Sequence, residues 1–85
     1  MLKLTPEQAK LKPRSLTEIR LTPEQCKRQE TFYKTTLATG VCTASQALLL
    51  ARMLLQDELL GLDARTPAQQ QLAKEFAFAI SEVRR

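Results

Sequence analysis

The sequence predicts an all-α protein: a small helical bundle of three main helices at about 23–39, 44–60 and 67–83, preceded by a short N-terminal helix and a basic arm. Three observations predict it. A helix-start signal recurs along the chain, as Thr5-Pro6-Glu7-Gln8, Thr22-Pro23-Glu24-Gln25 and Thr66-Pro67-Ala68-Gln69. Gly40 and Gly61 fall where the first two long patterns end. The composition is rich in Leu, Ala, Gln, Lys and Glu, all good helix formers, with only two Gly and no Trp among 85 residues.

Each element follows from local chemistry. In every start signal the Thr hydroxyl can accept a free first-turn amide. Pro then occupies the first helical position, where its missing N–H costs nothing, and Gln at the third position can reach back to the cap. A short helix near 6–11 therefore begins after Thr5, and Pro13 breaks the chain beyond it. Residues 12–21 read as an arm, with one turn started by Ser15 and Glu18. The match of LTPEQAK with LTPEQCK is read as convergence on a good cap, because the residues that follow differ. Thr43-Ala44-Ser45-Gln46 starts the 44–60 helix by the same logic without Pro. Gly just past a helix adopts the left-handed cap. Short loops favour antiparallel neighbours.

Stepping residues at 100° predicts what each helix buries. In 67–83, Leu72, Phe76, Ala79, Ile80 and Val83 share a face, an ordinary core stripe. In 23–39 the expected stripe is narrow: Cys26, Tyr33 and Leu37. The 44–60 helix is apolar almost all round. Leu48, Leu55 and Leu59 make one stripe; Ala47, Leu50, Ala51 and Leu54 a second; Leu49, Met53 and Leu60 a third. Such a helix must be central. Two neighbours cover two stripes, and the third needs the N-terminal segment or another chain. Leu49, Met53 and Leu60 are accordingly the expected oligomer interface.

The whole chain, 1–85, reads as one helical domain, with 1–21 as arm and 22–85 as core. A domain this small buries only about 60–65% of its unfolded surface, so a partner or a second copy is a common source of added stability. The net charge of +4 lies in the first 34 residues, where eight Lys and Arg face four Glu. Lys12, Arg14 and Arg20 on the arm, with Arg28, are candidates to meet an acidic surface. Cys26 and Cys42 flank a helix, roughly 20 Å apart by a rise of about 1.5 Å per residue, too far for a disulfide. Free thiols suit a reducing, cytoplasmic setting. The longest uncharged run, Thr35 to Ala51, is short and rich in Thr, Ser and Gln, so no membrane span is expected.

The residues for catalysis are missing. There is no His, and neither Cys has the partner that would activate it. Two distant Cys cannot hold zinc, and no Gly-rich phosphate loop exists. The expectation is no enzyme, no metal and no cofactor. Two aromatics fall outside the expected stripes. Phe78 lies among Gln71, Lys74, Glu75 and Glu82, and Phe32 among Arg28, Thr35 and Thr39. Both are candidate interface anchors, since buried aromatics and Arg carry much binding energy. The function this supports is a non-enzymatic protein–protein interaction module, self-associating and acting on a larger partner as adaptor, regulator or stoichiometric inhibitor.

Two other readings compete. Residues 36–52 resemble the middle of a helix-turn-helix, with Gly40-Val41 as the turn and Thr43, Ser45 and Gln46 opening a recognition helix. That would make the chain a DNA-binding regulator. Against it, the following helix is apolar on every side and holds one basic residue, Arg52. The third reading is a small anion or nucleotide held at helix N-termini across an oligomer interface.

Overall fold

The protein is described here by a computed structural model covering residues 2–84. It is all-α, with five helices and no strand among the described residues: α1 (Pro6–Lys10), α2 (Pro23–Ala38), α3 (Ala44–Leu60), α4 (Pro67–Glu75) and α5 (Ala77–Val83). Single 3-10 turns at Leu16–Glu18 and Leu62–Ala64 fill the two longer connections. α2 and α3 form an antiparallel hairpin. Arg28, in the second turn of α2, pairs with Glu58 near the end of α3. α5 returns to pack on α2, and α4 lies against α3.

The caps form as their residues dictate. Thr5, Thr22, Thr43 and Thr66 each accept the amide of the Gln three residues on, and each Gln reaches back to the Thr amide. Gly40 and Gly61 close α2 and α3 with φ of +76° and +88°, angles that a side chain would strain. The Glu18 carboxylate accepts the amides of Arg14 and Ser15, which makes the turn expected in the arm.

The core centres on α3 from Ala51 onward. Ala51, Leu54, Leu55 and Leu59 pack with Phe32 of α2 and with Leu16 and Ile19 of the arm. Leu2, Leu4, Leu21, Ile80 and Val83 close around them. Residues 2–21 are thus no free arm. Leu2, Leu4, Leu16, Ile19 and Leu21 join the core around α3, while the cations Lys12, Arg14 and Arg20 stay exposed.

Three expectations are corrected. The buried face of α2 is Gln25, Phe32 and Thr36, one residue and hence about 100° away from Cys26, Tyr33 and Leu37. Polar Gln25 and Thr36 occupy inward positions, so counting apolar residues aims the helix wrongly. Phe32 is therefore a core residue and not an exposed anchor. The 67–83 pattern breaks at Phe76, whose φ of −114° and ψ of 31° divide it into α4 and α5. The bend lets α4 follow α3 while α5 crosses to α2. Ala79 is then fully buried, and Phe76 only half-buried. Finally, of the stripe expected to face another chain, Met53 is fully buried and Leu60 packs on the core; Leu49 alone stays open.

Candidate interaction surface

Three polar clusters hold the fold and leave one end of it bare. The first joins the two LTPEQ motifs. Gln8 Nε2 donates to Gln25 Oε1 and Gln25 Nε2 to Gln8 Oε1, both at 2.8 Å. Each oxygen also accepts its own cap amide, from Thr5 at 3.0 Å and Thr22 at 2.9 Å. Gln8 Nε2 further donates to the Arg20 carbonyl. Both side chains are buried, and the pair pins the N-terminal segment onto the hairpin. The second cluster repeats the idea. Buried Gln56 of α3 donates to Gln69 Oε1, inside the α4 capping box, and to the Ala64 carbonyl.

The third cluster is ionic. Asp57 accepts both arms of the Arg65 guanidinium, at 2.9 and 2.6 Å, and Arg84 Nη2 at 2.8 Å. Glu58 holds Arg28, whose guanidinium stacks 4.4 Å from the centroid of the Phe32 ring. The hydrogen bonds raise the Arg28 and Arg65 pKa values above the ordinary arginine value, against the opposing effect of burial. A raised pKa stabilises the fold throughout the neutral range, and that contribution is lost only above the usual arginine range. A cleft of about 600 Å³ opens beside these residues, lined also by Leu62 and Val83. Its Arg28 and Arg84 already meet the chain's own carboxylates, so they offer no unopposed charge to an anion.

The bare end is the tip of the α2–α3 hairpin. Four apolar side chains lie open there: Leu37 (38% exposed), Val41 (48%), Leu48 (46%) and Leu49 (55%). Leu48 faces a shallow groove with Tyr33, Ala44 and Ser45. Leu49 lies about 100° further round the helix, toward the side of Gln46, three residues before it. No charge falls between Lys34 and Arg52, a run of seventeen residues that includes the whole tip. A helical wheel misses Leu37, Val41 and Leu48, because it assigns Leu37 and Leu48 to expected core stripes and Val41 lies in the connection between α2 and α3. The uncharged run was the signal for them.

The other expected site residues lie on other elements. Phe78 on α5 is 60% exposed. Arg28 is occupied by Glu58, and Lys12, Arg14 and Arg20 are exposed on the N-terminal segment. The packing of α2 on α3 departs from that of a helix-turn-helix. In that motif the helices cross, and only the ends beside the turn meet. Here α2 runs back along α3 from the tip to the Arg28–Glu58 pair. No helix among the described residues is long and apolar enough to cross a membrane, and no cluster of three or more metal-ligating side chains is found among them. Comparison with family models, curated proteins and solved structures finds no match.

Proposed function

We propose that the chain is a non-enzymatic interaction module of the cytoplasm that self-associates through the hairpin tip. The observation that carries this reading is the coincidence of four open apolar side chains with the longest uncharged run of a +4 chain. In a two-fold contact a residue on the axis meets its own copy, and a patch of a single sign meets like charge. Between Lys34 and Arg52 the tip carries no charged side chain, so a contact centred there brings no like-charged pair onto the axis. A stable contact takes about 800 Å² from each partner, near a seventh of the 5785 Å² exposed here, and the tip run holds a fifth of the residues. Phe78 and the cations Lys12, Arg14 and Arg20 lie outside that contact and remain for a larger, acidic protein partner. An adaptor, a regulator or a stoichiometric inhibitor works in this way.

Sedimentation of the full chain at micromolar concentration tests the reading. The parent should be a dimer. The Leu48→Asp, Leu49→Asp double variant should be a monomer with an unchanged helical signal, since both side chains are already open to water. A parent that stays monomeric at every concentration, or a double variant that still dimerises, sinks it.

A further inference from the structure

The molecule contains four Thr-x-x-Gln capping boxes, and three of them share a property that the fourth lacks. The amides of Gln8, Gln25 and Gln69 are each bonded to a second side-chain amide, from Gln25, Gln8 and Gln56 in turn. Gln46 makes only the two bonds within its own box, with the Thr43 amide at 2.8 Å and the Thr43 hydroxyl at 3.2 Å. Its Nε2 has no partner among the described residues, and its Oε1 keeps a second lone pair. This box opens α3 at the hairpin tip, beside exposed Leu49.

We infer that the partner for Gln46 is Gln46 of a second copy, in a reciprocal amide pair on the two-fold axis of a tip-to-tip dimer. The inference rests on the self-association proposed above and names its central contact. The chain already contains the template. Gln8 and Gln25 come from two copies of the same LTPEQ motif and exchange two equal hydrogen bonds while each keeps its own cap amide. Two capping boxes therefore meet through their glutamines in a pseudo-two-fold arrangement. A reciprocal amide pair is itself two-fold symmetric, so one residue can supply both halves when it lies on the axis. The surroundings fit the same occupant. No charged side chain falls between Lys34 and Arg52, so no pair of like-charged side chains opposes the approach of two copies at Gln46. Leu49, one turn on, and Val41, in the preceding loop, would cover the pair. The alternative is a solvated surface amide that water satisfies, and it makes the opposite prediction for a charge swap.

The test is a charge swap at one position, read by sedimentation at low salt. Gln46→Glu keeps the capping box, because Glu serves at that position as well as Gln. It places two carboxylates on the axis, so dimer affinity should fall by about a hundredfold. Gln46→Lys should fall likewise through two ammonium groups. An equimolar mixture of the two variants should recover a heterodimer, and rising salt should weaken that recovery. A purely structural role for Gln46 gives no such recovery. A Gln46→Glu chain that dimerises as tightly as the parent, or a mixture that stays monomeric, overturns the inference. If the parent dimer is broken by the Leu48 and Leu49 substitutions but not by Gln46→Glu, this contact fails and the tip interface stands. If the parent is a monomer, both fail.

Discussion

The two halves of α3 have similar compositions and opposite surroundings. In the second half, Leu54, Leu55 and Gln56 are fully or nearly buried and Leu59 is close to it, so the helix is covered on every side. In the first half, Ser45, Leu48, Leu49 and Arg52 form an open face although Ala47, Leu50 and Ala51 beneath them are buried. Periodicity cannot tell these halves apart, because an apolar helix has no polar face to mark its outside. What separates them is the N-terminal segment. Leu16 and Ile19 reach the second half, and nothing among residues 2–84 reaches the outer face of the first. A small chain has little apolar material to bury, and here it surrounds one half of the central helix and leaves the outer face of the other half open.

The sharpest way to break this comparison is to make one substitution in both halves. Leu55 and Leu48 lie two helical turns apart on the same wheel stripe. Leu55→Ala should cost about 3 kcal/mol, as expected for a leucine removed from a full core. That is a large part of the stability of so small a domain. Leu48→Ala should change the stability of the monomer by less than about 0.5 kcal/mol, because a half-exposed surface leucine leaves no cavity. Urea denaturation of the two variants at the same dilute concentration measures both. Equal losses would mean that the two halves are buried alike, and the distinction would be lost.

A second comparison sets one capping box against another. Gln25→Ala removes a cap bond and leaves a buried amide, Gln8, without its partner, so a loss of about 2 kcal/mol is expected. Gln46→Ala removes the same cap bond at the tip, where water replaces it, and should cost about 0.5 kcal/mol in the monomer. Because Gln8 and Gln25 fasten the N-terminal segment, Gln25→Ala should also raise amide exchange in the second half of α3 while leaving the first half unchanged. Uniform exchange across the helix would show that the segment is not what covers it.

Much of this architecture is legible in the sequence. The starts and stops of α2 and α3 follow from Thr, Pro, Gln and Gly, whose effects are local. The bend at Phe76 is not legible, because it answers to where α3 and α2 lie and no Gly or Pro marks it. The orientation of α2 is hidden for a different reason. Its inward positions include polar Gln25, which pairs with an amide seventeen residues away, while the partly exposed Arg28 lays its guanidinium over Phe32. Tertiary hydrogen bonds outrank hydrophobic periodicity there. At the tip the signal was present as a missing charge, which has meaning only once the fold shows that these residues share one end.

The smallest expected effect concerns a polar atom that the hairpin buries without a partner. Thr36 is almost wholly buried on the tip half of α2, and its hydroxyl makes no hydrogen bond, although its backbone carbonyl accepts from the Thr39 hydroxyl and the Cys42 thiol. Neighbouring threonines behave otherwise. Thr31 and Thr35, on the exposed side of the same helix, each donate to the carbonyl four residues before them. An unpaired buried hydroxyl is a net cost, and valine has the same shape and the same stiffness in a helix without it. Thr36→Val should therefore stabilise the monomer by about 1 kcal/mol, seen as a rise of several degrees in the melting temperature. Dimer affinity should not change, because the side chain faces inward and away from the tip surface. A loss of stability would mean that the hydroxyl has a partner and that the tip half of the hairpin is as well satisfied as the other.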